Sequence, residues 1–242
     1  MQKPVKFKAN PTPLDPCYNT TNAFEIGIDE AGRGPLFGRV YVAAVILPKG
    51  VDEFHHEWMR DSKQIKNRRT MQALASYIKE HALFWSIQYA EAEEIDADNI
   101  LSCTIKKMHD CVKDILSKMG SAANGYLLVD GNYFKPYIQY NPLTETFDSI
   151  QHETFEKGDG RFSAIAAASI LAKNERDTWM EELCEAHPYL KTLYSLDTNM
   201  GYGTKAHMTA IDAHGITKWH RKSFAPCRNK PELKTMSYKQ CL

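Results

Sequence analysis

Apolar positions along the chain follow two periods. Residues 24–29 and 83–90 read as short strands, and residues 40–47 are nearly all apolar and rich in β-branched side chains. Such a run predicts a strand buried on both faces. Residues 126–129 form another short apolar strand, which ends at Asp130. Elsewhere the period is helical. Met71, Leu74, Ala75 and Ile78 fall at i, i+3, i+4 and i+7 behind a capping Asn67. Met108, Val112, Ile115 and Leu116 make one stripe within a segment predicted to be helical over 91–119. The alanine-dense stretch 164–185 lies between Gly160 and Pro188, and a last helix is predicted over 204–214 with Gly215 ending it. Residues 131–152 show no clear period.

The predicted order is β-β-α-β-α-β-(β)-α-α. A tight glycine turn joins the first two strands and implies an antiparallel pair, whereas the later βαβ crossovers imply parallel pairing. A mixed sheet flanked by helices in an α/β domain follows. Residues 1–22 hold four of the eleven prolines. Each removes a backbone donor and restrains the residue before it, so this segment is expected to be a flexible N-terminal arm.

Composition changes this picture little. No stretch approaches the ~18 apolar residues of a membrane span, and the N-terminus lacks the apolar core of a secretory signal. The expected compartment is the cytoplasm, or the nucleus if the source has one. The six cysteines form no CxxC pair and no zinc spacing, as expected of reduced thiols. Lys plus Arg equals Asp plus Glu at 30 each, which by itself does not announce a polyanion partner. The distribution is uneven: residues 201–242 hold eight basic and two acidic side chains, and residues 91–98 hold five acids and no base.

Four carboxylates stand where chemistry is expected. Asp29 and Glu30 lie where the first strand meets the glycine turn, Asp130 at a strand end, and Asp159 between two glycines ahead of the alanine-rich helix. Ligands of open α/β sheets gather beyond the carboxyl ends of strands. Converging carboxylates without cysteine or histidine suit a hard ion such as Mg²⁺ or Mn²⁺, and a pair of such ions suits phosphoryl displacement. Successive strand residues face opposite sides, so Asp29 and Glu30 share a site only if the chain leaves strand geometry at Glu30. Taken singly, Asp159 is equally well read as a carboxylate stabilised by a helix dipole.

At these residues the sequence resembles the ribonuclease HII family. The likeness runs through GIDEAGRGPLFG (27–38), VYVAAVILP (40–48), DSK (61–63), LLVDGN (127–132), KGDGRFSAIAAASILAKNERD (157–177), GYGTKAH (201–207) and HRKSF (220–224). The resemblance implies an RNase H-like mixed five-stranded sheet flanked by helices, with a helical C-terminal extension. It implies a catalytic domain over 23–225 and a C-terminal tail over 226–242. It makes Asp29, Glu30, Asp130 and Asp159 the catalytic, metal-binding acids of a two-metal site for Mg²⁺ or Mn²⁺. Gly32, Arg33 and Gly34 would meet the ribose 2′-OH, Lys63 a phosphate, and Tyr202 the nucleotide on the 3′ side. The GRG turn separates the sequence from type 3 relatives. The implied enzyme is a type 2 ribonuclease H, an endonuclease acting on RNA/DNA hybrids and on duplex DNA containing ribonucleotides. It would work as a monomer, without a membrane or an obligatory protein partner.

Residues 133–152, with five aromatics, match the family poorly, as do the arm and the tail. Two rival readings remain at this point. Another RNase H-like nuclease would share the acids but not the GRG turn or Tyr202. A non-catalytic hybrid-binding subunit usually lacks one of the acids.

Overall fold

The computed structural model describes residues 5–50, 52–119, 125–141 and 144–233. The chain forms two compact units, each assembled from separated segments. The first is Met1–Ala31, Tyr41–Gln88 and Ile105–Asn174, and the second is Gly32–Val40, Tyr89–Thr104 and Glu175–Leu242.

The first unit is built on a five-stranded sheet. Its strands are β1 (Phe24–Ala31), β2 (Val40–Ile46), β3 (Phe84–Ala90), β4 (Gly125–Asp130) and β7 (Gln151–Phe155), in the order β3-β2-β1-β4-β7. β1 pairs antiparallel with β2 and parallel with β4, which pairs parallel with β7. The mixed sheet read from the pattern is therefore present. Residues of alternating β1 positions separate by face, as a pleated strand requires. Phe24, Ile26 and Ile28 join Met108, Val112 and Ile115 of α3 (Ile100–Met119) in one core. On the other face Leu128, Phe155 and Phe162 pack with Ile165, near the start of α4 (Ser163–Ala186). A Cβ on Gly27 would lie 2.2 Å from the carbonyl carbon of Ala164, so only glycine lets helix and strand backbones approach this closely.

α1 (Arg68–His81) starts after Asn67, whose side chain accepts from the Thr70 amide, and it buries the four predicted residues. The helix predicted over 91–119 is two helices. α2 (Ala92–Asp98) ends at Asn99, which has φ 98° and caps α3 by accepting from the Ser102 amide at 2.9 Å. The unassigned 131–152 segment contains a hairpin, β5 (Ile138–Asn141) and β6 (Thr146–Ser149), and then enters β7.

Residues 5–22 of the N-terminal arm make specific contacts with the first unit. Leu14 is buried and Asp15 bridges to Phe162. The Tyr18 hydroxyl donates to Glu153 at 2.6 Å, and the amides of Tyr18 and Asn19 both donate to the buried Glu25 carboxylate at 2.7 Å. Side-chain acceptors replace the sheet ladder that the prolines preclude.

The second unit is largely helical, with α5 (Tyr189–Tyr194), α6 (Leu196–Asn199) and α7 (Lys205–His214) around Leu36, Phe37, Met180, Leu190 and Ile211. Thr204 caps α7 through the His207 amide. The segment expected to be a tail is anchored where it begins: the Ile216 amide donates to Pro231 O and the Leu233 amide to Ile216 O. Residues 234–242 lie outside the described ones.

Candidate active site

The four predicted acids lie in the first unit, where Asp29 feels the charges of Glu30 and Asp130, and Asp159 that of Asp130. Asp29 is buried on β1, and its Oδ1 accepts from the Glu30 amide at 2.6 Å. Burial holds its carboxyl well above the usual range, reinforced by the charges of Glu30 and Asp130; hydrogen bonds from Ser169 and the Glu30 amide oppose the shift. Asp130 ends β4 and accepts from the Gly158 amide at 2.7 Å. Its carboxyl is also raised, chiefly by burial. Asp159 lies on a 3-10 turn, Gly158–Gly160, that follows a left-handed Lys157. Burial, then Asp61 and Asp130, push it up to about 6.

Lys63 faces this cluster. Its ammonium is 3.9 Å from Asp159 Oδ2 on a side chain that is 81% exposed. Partial burial works against its charge, yet Asp159, Asp61, Asp29 and Asp130 together raise its pKa.

Glu30 is the next residue along β1. The chain does not leave strand geometry there: β1 continues through Glu30, opposite Val42, to Ala31, opposite Tyr41. Pairing of the β1–β2 ladder outlasts the acids because the flanking β2 residues are all buried and keep it closed. Glu30 acts on Asp29 through its charge, as its chain neighbour.

The donor set fits a hard divalent cation. It consists of carboxylate oxygens, whose mutual repulsion holds protons that a cation would displace. Among the described residues, no three His, Cys, Asp or Glu side chains stand close enough to form a ready cage. The fit therefore rests on donor chemistry and shared field rather than on a preformed coordination shell.

Sequence reasoning passed over three residues of this cluster. Asp61 hydrogen-bonds with Asp159 and caps the 3-10 turn Ser62–Gln64. Ser62 Oγ is 2.9 Å from Ser169 Oγ in the interior, and Ser169 in turn bonds Asp29. A hydroxyl pair thus ties the DSK turn to the β1 aspartate. DSK gave the available signal for Asp61 and Ser62, whereas Ser169 looks like any small residue of an alanine-rich helix.

The predicted substrate residues of the second unit are also organised. Gly32 is buried with φ 95°, while Arg33 and Gly34 are exposed. Arg221 is wholly buried and donates to four carbonyls of this segment: Gly32 at 2.6 Å, Arg33 at 2.9 Å, Pro35 at 2.8 Å and Gly38 at 2.9 Å. Burial, and then Arg176, lower its pKa to about 9. A Cβ on Gly32 would meet Arg176 Nε at 2.7 Å, and one on Gly34 would touch the Tyr202 ring at 3.6 Å. Tyr202 is 48% exposed with the Arg176 guanidinium 5.5 Å from its ring centre.

Behind Tyr202 stand two buried histidines. His207 Nδ1 is 3.0 Å from Tyr202 O, so it donates; His207 Nε2 must then accept from His220 Nε2 at 3.1 Å. His220 Nδ1 accepts from the Thr217 amide at 2.9 Å. Both rings are neutral in this arrangement. Burial lowers both pKa values, and for His220, with His207 beside it, the value falls to about 3.

A family model described as ribonuclease HII matches residues 26–227. The chain belongs to the ribonuclease HII family. It is 42% identical over 207 residues to the ribonuclease HII of Bacteroides thetaiotaomicron, covering 86% of this chain and 92% of that protein. It is 41% identical over 216 residues to the ribonuclease HII of Nitrosomonas europaea, covering 89% of this chain and 88% of the relative. Ribonucleases HII are type 2 ribonucleases H, hydrolases with RNase H endonuclease activity that depends on divalent metal. Solved structures share the fold. The ribonuclease H2 of Pyrococcus horikoshii aligns with TM-score 0.59 at 18% identity, over 85% of this chain and 95% of that one. A Bst-RNase HIII in complex with Mn²⁺ aligns with TM-score 0.64 at 17% identity, over 84% and 68%. No helix among the described residues is long and apolar enough to cross a membrane.

Proposed function

We propose that the protein hydrolyses the RNA strand of RNA/DNA hybrids and cuts on the 5′ side of single ribonucleotides embedded in duplex DNA, leaving a 3′-hydroxyl and a 5′-phosphate. The observation that carries this is the field shared by Asp29, Asp130 and Asp159, with Lys63 at its edge. In this reading those aspartates and Glu30 hold two divalent cations, Mg²⁺ or Mn²⁺. Bound there, such ions neutralise phosphate charge and make water a competent nucleophile at neutral pH. Glu30 would have to turn towards them at the end of its strand.

Lys63 binds a non-bridging phosphate oxygen, its exposed stem leaving the ammonium free to shift from Asp159 to substrate. The Ser62–Ser169 hydroxyl pair orients Asp29. In the second unit the Gly32–Gly34 turn reads the ribose 2′-OH, the group that separates RNA from DNA. Arg221 fixes the carbonyl side of that turn. Tyr202 stacks on the sugar or base that follows the ribonucleotide. The enzyme works as a monomer in the cytoplasm, without an obligatory protein partner.

Incubation with Mg²⁺ and a DNA duplex containing one ribonucleotide tests the reading. The expected product is one nick with a 3′-hydroxyl and a 5′-phosphate. A 2′,3′-cyclic phosphate would mean that the neighbouring hydroxyl, not water, attacks. An intact duplex would remove the embedded-ribonucleotide reading.

A further inference from the structure

A second feature of the first unit has no part in the chemistry above. A cleft of about 370 Å³ is walled by Lys6, Lys8, Arg60 and Lys66, with Phe7 and Trp58 among its other residues, and among the described residues no acid lines it. In a chain with equal numbers of acids and bases, this is a concentrated positive surface. The neighbouring sequence adds to it. Residues 60–69 carry five basic side chains and one acid, and the first turn of α1 holds Arg68 and Arg69 with no acid. Cations at a helix N-terminus oppose the macrodipole, which favours acids there.

The cleft is a built feature. Arg60 donates to the carbonyl of Lys8, and Asn10 Nδ2 donates to Met59 O at 3.1 Å. The Phe7 and Trp58 rings lie 4.7 Å apart. These contacts hold the two arm lysines against the wall formed by 58–67. The arm lies outside the family-matched residues 26–227, so Lys6 and Lys8 add to what the family supplies. The cleft and the acid cluster share one short turn of chain. Gln64 lines the cleft, and Lys63, which faces Asp159, belongs to the same 3-10 turn, Ser62–Gln64.

We infer that this cleft binds backbone phosphates of the nucleic-acid substrate away from the scissile bond, extending the footprint from Lys63 along the duplex to the arm. The inference rests on the hybrid-cutting reading and deepens it. Lysines and an arginine on an aromatic floor suit a phosphodiester chain, whose charge is regular and whose sequence the cleft need not read.

The test measures affinity for a fluorescent RNA/DNA hybrid by anisotropy in EDTA, across a range of salt, for the full chain and for the Lys6→Ala/Lys8→Ala double variant. Each phosphate contact contributes about 0.9 to the slope of log K against log salt. The double variant is expected to flatten that slope by about 0.9–1.8 and to bind about tenfold more weakly at low salt. Its KM should rise while kcat at saturating substrate stays within about twofold, as expected when only uniform binding is lost. Lys6→Arg/Lys8→Arg should keep the wild-type slope, which separates charge from a folding defect. A hybrid too short to reach the arm should bind the wild type and the alanine variant equally. If the wild type binds and cuts hybrids but the alanine variant has its slope and affinity, the cleft inference fails alone. A wild type that neither binds nor cuts hybrids overturns both readings.

Discussion

Asp29 is the residue on which most of the site converges: buried, bonded by Ser169 and a backbone amide, and raised by two neighbouring acids. A carboxyl held this way destabilises the metal-free fold once ionised, because its folded pKa exceeds the unfolded value. Asp29→Asn removes that charge and keeps an oxygen for the Glu30 amide. In EDTA this variant should melt at a higher temperature than the wild type. Added Mg²⁺ should stabilise it less, cleavage should vanish and hybrid binding should persist. A melting temperature below the wild type in EDTA would show that the carboxylate is stabilising and the shared-field argument wrong. Tyr202 offers an independent check in the other unit. Aromatic stacking on a nucleotide is worth ~1–3 kcal/mol, and each ~1.4 kcal/mol is tenfold in rate. Tyr202→Ala should slow cleavage of a single embedded ribonucleotide by about tenfold or more and slow a continuous hybrid less. Equal losses on the two substrates would make Tyr202 a packing residue only.

At the level of elements, the imidazole pair formed by His207 on α7 and His220 beyond it gives a pH dependence with a definite sign. Both histidines have folded pKa values below the ordinary ~6.5, so the unfolded chain holds their protons more tightly. Their contribution is complete above ~6.5 and is lost as pH falls towards about 3, the folded value of His220. Urea unfolding from about pH 7 to about pH 5 should show the wild type losing stability relative to His220→Gln, because the variant lacks that titration. A constant difference across the range would contradict the neutral pair. The same elements show what a sequence can reveal. β1, β2, α1 and α4 were legible because one face or both are apolar at the right period. Asn99 was not, since the stripe of α3 continues past a left-handed residue that periodicity does not register; its side chain capping Ser102 was the available sign. The β5–β6 hairpin escaped because its strands lack a buried face: Phe147 is 75% exposed. Asp29, Asp130 and Asp159 could be picked out from strand ends and glycines. The continuation of β1 through Glu30 could not, because it depends on cross-strand pairing that local sequence does not contain.

For the molecule as a whole, the decisive fact is that each unit is stitched from distant segments. The turn Gly32–Gly34 belongs to a unit whose remaining residues come mostly after Glu175, and Arg221 anchors it across 189 residues of chain. Arg221→Met removes the guanidinium donors to four carbonyls, of which those at Gly32, Pro35 and Gly38 are in buried residues. Unsatisfied buried groups cost about 1–3 kcal/mol each, so a loss of roughly 3 kcal/mol or more in urea unfolding is expected. A change under about 1 kcal/mol would mean that water replaces the guanidinium without penalty. The same connection sets an order of events during synthesis. Asp29, Glu30, Asp130 and Asp159 all leave the ribosome before Arg221, which follows the last of them by about sixty residues, roughly 3–12 s at ~5–20 residues per second. Throughout that interval a nascent chain carries all four proposed metal-binding acids while the turn proposed to choose a sugar still lacks its anchor. If that turn reads the sugar as proposed, selectivity matures last, and a polypeptide cut short before Arg221 would carry the acids without the means to discriminate.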